Sequence, residues 1–271
     1  MSRLLSYTDD RDPFLRRKVI AGLERLTGRK RLLRLYNELR AEAPEGSLVW
    51  DRLLEKLEIG VEANWDALDR LSSEGPLIVI ANHPFGVVDG IILGQLLGRL
   101  RSEYKILVNE VLYREPLINK FLLPIDFRED RAAMETNLST RKKALELLAT
   151  GQGAIGIFPA GGVATAVKPF GPVRDLSWKR FTAQMIQRSG ATVLPLLFHG
   201  RNSPAFQLAS HVHSHLRLGL LINEIRNKRG KTIKLTIGHP IPPEKMAAIK
   251  GRQELVEFLR RETFKRWPKG E

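Results

Sequence analysis

The residues best suited to chemistry in this chain are His83 and Asp89, set on either side of a glycine turn in the stretch 81–90, A-N-H-P-F-G-V-V-D-G. An imidazole is the side chain that most readily takes a proton near neutral pH. A carboxylate on its Nδ1 fixes the tautomer and stabilises the cation that forms. The pair therefore has the chemistry of a general base and its orienter. The stretch holds no serine or cysteine to act as nucleophile, so the chemistry it predicts is direct activation of a substrate hydroxyl. An aspartate that caps a helix and a histidine satisfied by backbone would show the same two letters. The rest of the chain has to separate the two readings.

Phe158, Pro159, Ala160, Gly161 and Gly162 begin a loop, F-P-A-G-G-V-A-T, that follows an apolar run. Its glycines let backbone N–H groups approach an anion or an oxyanion, although the Gly-Lys-Ser/Thr ending of a nucleotide-binding loop is missing. Arg128, Arg131 and Arg201 each follow an apolar segment and could converge on a phosphate or carboxylate at one sheet edge. Each reads equally as a surface arginine. His211, His213 and His215 in H-V-H-S-H would share one face of a strand, and the outer two would share a face of a helix. No cysteine or acidic residue lies close by in sequence to complete a metal site. They read as loop or interface histidines, and neither a metal nor a cofactor is expected.

Stepping out from these residues, the apolar run 76–80, P-L-I-V-I, reads as a buried strand that ends just before His83. Ile91, Ile92, Leu93, Leu96, Leu97 and Leu100 then supply an apolar helical face that begins near Asp89. A strand-to-helix junction of this kind is where open α/β sheets bind ligands. Further apolar segments at 104–108, 121–128, 154–158 and 192–198 alternate with helical patterns, one capped by Asn137 or Ser139 and running through Leu148, another over 178–187. This alternation predicts an α/β fold with a mainly parallel central sheet flanked by helices on both faces. Residues 233–237 alternate apolar and polar and suit a strand nearer the sheet edge. A helix beginning near Val49 is expected to stop before Gly60, and a last helix over 244–266 to break at Gly251.

Two units are expected: a basic amphipathic helical segment over 1–48 and the α/β domain over 49–271. Leu15, Val19, Leu23 and Leu26 share a helical face, and Leu32, Leu35, Tyr36 and Leu39 repeat the spacing. Residues 1–40 hold 11 basic and 5 acidic side chains. The whole chain carries 44 basic against 30 acidic residues, a net charge of +14. Such an excess points to a polyanionic partner, whether nucleic acid, an anionic membrane surface or an acidic protein, and the basic amphipathic helices suggest the membrane surface. Nucleic acid is not expected, because no zinc-finger or RNA-binding signature is present and aromatic residues are only 7%. The absence of cysteine excludes disulfides, thiolate metal sites and a cysteine nucleophile. Residues 147–167 carry no charge, but six breakers, five of them glycines at 151, 153, 156, 161 and 162 and one Pro159, argue against a lipid-facing helix. The charged N-terminus shows no secretory signal, and the expected location is cytoplasmic, peripheral on the inner face of the membrane.

Taken in order, the motifs resemble those of the glycerolipid and lysophospholipid acyltransferase superfamily. Its first motif, commonly N-H-x-S-x-x-D, is similar to N-H-P-F-G-V-V-D-G here, with five residues instead of four between His83 and Asp89. That form resembles the hemolysin-like branch, which includes lyso-ornithine-lipid O-acyltransferases. The second motif, ending in an arginine, matches Phe127-Arg128 or extends to Arg131. The third, usually F-P-E-G, appears as Phe158-Pro159-Ala160-Gly161, and the fourth as Val193-Leu194-Pro195-Leu196. The continuation F-H-G-R-N-S, with Arg201 and Asn202, also looks like that branch. The resemblance covers roughly residues 50–243. It implies an O-acyltransferase in which His83 deprotonates an acceptor hydroxyl, Asp89 orients His83, and the hydroxyl attacks an acyl thioester carried by acyl carrier protein or coenzyme A. The acceptor would be a lysolipid, with Arg128 or Arg131 at its head group and backbone donors near Gly161 and Gly162 at the oxyanion. Ala160 stands where the family's glutamate helps bind glycerol phosphate, which leaves the head group open. The alternative, a non-catalytic protein that binds lipid or nucleic acid through its charge, would retain its binding without His83; a metal hydrolase built on the histidine cluster would respond to chelators.

Overall fold

The computed structural model describes residues 29–128, 130–168, 171–212 and 214–265, together with Phe14, Lys18 and Gly22. Seven strands form one sheet: β1 (Gly60–Ala63), β2 (Leu77–Ala81), β3 (Glu103–Asn109), β4 (Leu122–Ile125), β5 (Gly153–Ile157), β8 (Thr192–Phe198) and β9 (Thr232–Ile237), in the order β1-β9-β8-β2-β5-β3-β4. Every neighbouring pair is parallel except β8 with β9. Between β5 and β8, the short β6 (Thr165–Ala166) and β7 (Val173–Arg174) make a separate antiparallel pair.

The apolar run at β2 is long enough to be buried on both sides. Leu77, Val79 and Ala81 face one core layer while Ile78 and Ile80 face the other, the two-residue alternation of a strand. The first layer is covered by α1 (Arg29–Glu42), α2 (Leu48–Lys56) and α3 (Val87–Leu100). The second is covered by α4 (Arg131–Ala149), α5 (Arg180–Ser189) and α9 (Arg252–Phe264). The helical pair α6 (Pro204–Val212) and α7 (Ser214–Lys228) adds Ile222 and Ile225 to the first layer, and the short α8 (Pro243–Ala247) precedes α9. The chain leaves β2 through α3 on one side of the sheet and leaves β4 through α4 on the other. Between such diverging crossovers the carboxyl ends of the strands are left uncovered.

Trp50 from α2 wedges against α3 at Gly94, where a Cβ would lie 2.4 Å from the indole. Its Nε1 donates to the Tyr104 hydroxyl at 2.6 Å, and burial pushes that phenol up to about 12.

Several expectations shift at element ends. The helix through Leu148 starts earlier, at Arg131, because Asp130 accepts the Ala133 N–H at 2.8 Å and serves as its cap. Asn137 instead turns inward and clamps Asp126, accepting its N–H at 2.9 Å and donating to its carbonyl at 2.8 Å. Gly60 does more than end a helix: it opens β1, so β9 is second from the edge. The break at Gly251 is found, with the residue preceding α9. The uncharged stretch 147–167 divides into a helix end, a turn, β5, the glycine loop and β6. Among the described residues no helix is long and apolar enough to cross a membrane. Of the amphipathic pattern before Arg29, all but three positions lie outside the described residues; Phe14, Lys18 and Gly22 are helical.

Candidate active site

One carboxylate both caps a helix and meets the imidazole. Asp89 Oδ2 accepts the N–H groups of Phe85 and Gly86 at 2.8 and 3.0 Å, which caps α3, and it also meets His83 Nδ1 at 3.0 Å. The last contact falls outside strict hydrogen-bond alignment. The turn that allows this convergence needs Gly86, whose φ of +85° is left-handed and whose missing Cβ would lie 3.0 Å from Leu221. Asp89 is fully buried, and among the described residues its Oδ1 meets no donor. Burial therefore pushes its carboxyl up from the ordinary range, while the contact with His83 and the two amides oppose the shift.

The imidazole stacks on Phe158, ring centroids 4.0 Å apart. Its backbone is held as well: the His83 carbonyl accepts the Ala164 N–H at 2.7 Å, and the His83 N–H donates to Asp175 Oδ1 at 3.1 Å. Asn82, just before, exchanges two hydrogen bonds with Phe198, accepting its N–H at 2.7 Å and donating to its carbonyl at 2.9 Å. That asparagine ties the end of β2 to the end of β8 and so fixes where the histidine emerges.

A cavity of about 490 Å³ lies at this carboxyl edge, with His83, Phe158, Pro159, Gly161 and Gly162 in its wall. Its lining includes the apolar Val87, Ile91, Ile118, Leu122 and Trp50, and also Asp126, Asn137, Arg141, Lys179 and Thr182. A ring nitrogen with a buried carboxylate behind it, beside a slot of hydrocarbon side chains, can deprotonate a hydroxyl next to a long aliphatic group.

A sequence profile described as acyltransferase matches residues 55–267. The chain belongs to the acyltransferase family. Two curated relatives are similar to it, both named lyso-glycine lipid O-acyltransferase. The protein of Phocaeicola vulgatus is 28% identical over 221 residues, covering 78% of this chain and 75% of its own; that of Bacteroides thetaiotaomicron is 29% identical over 220 residues, covering 78% and 77%. A solved structure, the 1-acyl-sn-glycerophosphate acyltransferase PlsC from Thermotoga maritima, is similar with a TM-score of 0.49 at 17% identity, covering 92% of this chain and 95% of that one.

The acyltransferase does not bring its three singled-out arginines together. Arg128 sits among Asp126, Glu110 and Asp130, its Nε donating to Asp126 Oδ1 at 2.9 Å, and it holds the Asp126 carboxyl well below the usual carboxylate range. Arg131 points outward from α4 and pairs with Glu135 at 3.0 Å. Arg201 is exposed beyond β8 and, with buried Asn202, lines a separate cavity of about 150 Å³. The R-N-S turn is braced from α7, where Glu224 accepts the Ser203 N–H at 3.0 Å and its hydroxyl at 2.6 Å. His213 lies outside the described residues, His211 is exposed at the end of α6, and no group of three metal-ligating side chains occurs among the described residues.

Two side chains at the site were missed from sequence. Arg217 of α7 lines the cavity and donates to the Val163 carbonyl at 3.3 Å. Asp175 is buried, accepting the His83 N–H on one oxygen and Trp178 Nε1–H on the other at 2.7 Å. Its only sequence signal is the pairing D-L-S-W, three residues apart. Burial pushes this carboxyl up, against Trp178 and His83. A folded-state value above the unfolded one means the native protein keeps a proton that the unfolded chain has lost, so this group lowers stability as pH rises through the interval between them. In Asp175→Asn an amide N–H faces the Trp178 donor, an unsatisfied contact that costs on the order of 1–3 kcal/mol. Urea unfolding across pH 4 to 8 should show the variant less stable, with the gap narrowing as pH rises. A gap that widens would show that the carboxylate is not the titrating group.

Proposed function

We propose that this acyltransferase esterifies the hydroxyl of a lysolipid at the inner face of the membrane, drawing the acyl group from acyl carrier protein or acyl-CoA. The observation that carries the reading is the His83 Nδ1–Asp89 Oδ2 contact of 3.0 Å in the wall of a cavity with an apolar part. His83 Nε2 takes the acceptor proton as the hydroxyl oxygen attacks the thioester carbonyl. The tetrahedral intermediate collapses with cleavage of the C–S bond, and the imidazolium returns the proton to the departing thiolate. Asp89 keeps the Nδ1–H tautomer and balances the transient cation. The Gly161 N–H is committed to the Phe158 carbonyl at 2.9 Å, so the oxyanion falls to the Gly162 amide and Arg217. The acyl chain occupies the apolar slot beside Val87, Gly90 and Ile91. The two relatives are named for a glycine lipid, and an amino-acid lysolipid is accordingly the acceptor class assigned here.

The test is direct. Purified protein is given lyso-glycine lipid, lyso-ornithine lipid or lysophosphatidate, each with matched acyl-carrier-protein and acyl-CoA donors, and products are read by mass spectrometry. An ester of an amino-acid lysolipid is expected, formed faster from the protein carrier because a basic protein gains more from a folded acidic surface than from a small thioester. Ester formation on lysophosphatidate alone would overturn the acceptor assignment.

A further inference from the structure

The cavity mouth carries exposed hydrocarbon that the fold does not need. Phe127 is 53% exposed although its ring lies 3.2 Å from where a Gly161 Cβ would stand, and Leu176 is 38% exposed beside Gly162. Both glycines line the cavity, so these two side chains frame its opening. On α4, Met134 and Leu138 are 70% and 62% exposed. They are one turn apart and fall on the flank of the helix next to Asn137 and Arg141, which line the same cavity. Leaving four large apolar side chains in water around one opening is costly unless something covers them. The neighbouring exposed cations include Lys179, which lines the cavity, and Arg174, two positions before Leu176, in a chain whose net charge is +14.

We propose that this carboxyl edge of the sheet is a membrane-docking face: Phe127, Met134, Leu138 and Leu176 enter the interfacial region of an anionic bilayer around the cavity mouth. The inference rests on the reading of the chain as a lysolipid acyltransferase and adds which surface meets the lipid. Apolar side chains with cations beside them match the two layers of an anionic leaflet, hydrocarbon below and phosphate above. A mouth seated there lets the lysolipid acceptor pass from bilayer to cavity without crossing water. The occupant is a lipid surface and not an acidic carrier protein, because the rim combines its cations with four exposed apolar side chains, which a hydrocarbon layer covers and an acidic surface does not.

The chain has no cysteine, so single nitroxide labels can be placed cleanly in the whole 271-residue chain. Met134→Cys and Leu138→Cys report the rim, and Glu103→Cys, exposed at the amino end of β3, reports the opposite pole. On adding phosphatidylglycerol vesicles, the two rim labels should gain accessibility to oxygen and lose accessibility to a nickel chelate, while the label at 103 is unchanged. A paired Met134→Asp and Leu138→Asp variant should lose about tenfold or more in kcat/KM on vesicle-presented acceptor and stay within about twofold in detergent micelles. Rim labels that stay water-exposed on vesicles that do bind the protein would overturn the docking face and leave the membrane reading intact. Shielding by acyl carrier protein without shielding by vesicles would overturn it in favour of a protein partner. Failure to bind vesicles at all would remove both. The label measurement needs no turnover, so an absence of transferase activity would count against the proposed function alone.

Discussion

His83→Ala should lower kcat on the order of 10²-fold to 10⁴-fold, if the ring carries the acceptor's proton as proposed, while the melting temperature and lipid binding stay close to wild type. It is the backbone of His83 that is tied to Asp175 and Ala164, and alanine keeps those bonds. Asp89→Asn should also lose activity steeply. The aspartate oxygen that meets the imidazole also accepts two amide N–H groups at the start of α3, and the asparagine carbonyl can keep both while its amide takes the place of Oδ1, which meets no donor among the described residues. An amide cannot balance the imidazolium. Direct attack leaves no covalent intermediate: enzyme mixed with labelled acyl donor and no acceptor should yield no acyl-protein by mass spectrometry. Stoichiometric acyl-enzyme on the reaction path, or a His83→Ala protein that retains most of its rate, would remove the pair from the chemistry.

Trp50→Ala should be the most damaging single change to the fold. The indole is buried, fills the space left by Gly94, lies tilted against Phe121 with ring centroids 5.6 Å apart and donates to Tyr104. Its loss should cost about 3–5 kcal/mol, roughly a 10 °C fall in melting temperature for a chain of this size. Trp50 also lines the apolar part of the cavity. Surviving enzyme should therefore shift its kcat/KM toward longer acyl donors, since the removed ring frees room in the slot. Trp50→Phe, milder for folding, should show a smaller shift in the same direction. An unchanged chain-length preference in both variants would place the acyl group elsewhere.

What the sequence revealed was what is written locally. The β2 run, the break at Gly251, the strand 192–198 and the alternation that builds a parallel sheet are patterns within a few residues of one another, and the structure holds them. The His83–Asp89 contact was legible for the same reason, since one glycine turn separates the partners. Asp175 was not, because it lies 92 residues from the histidine it holds and only the strand order brings them together. Asn82 was visible as a letter of the motif, yet its task of tying β2 to β8 depends on a partner 116 residues away. The arginines illustrate the reverse error. Following a strand places a residue at the correct edge but does not say which neighbour claims its charge, and Arg128 is claimed by Asp126, two positions earlier.

The outer strand β1 has a consequence for how the chain comes into being. It pairs only with β9, and Asn64 just after it grips Ile237, donating to the carbonyl at 3.0 Å and accepting the N–H at 2.8 Å, across 173 positions of sequence. At a synthesis rate of about 5–20 residues per second, the ribosome needs roughly 10 to 35 s to deliver that partner after β1 has emerged. Until then β1 has no sheet to join, and once β8 has emerged it presents an unpaired edge, which makes the nascent chain most vulnerable to aggregation while residues 199–237 are being made. Slowing translation within residues 200–230 should lengthen that window and raise the demand for chaperones, without altering a single contact in the finished protein.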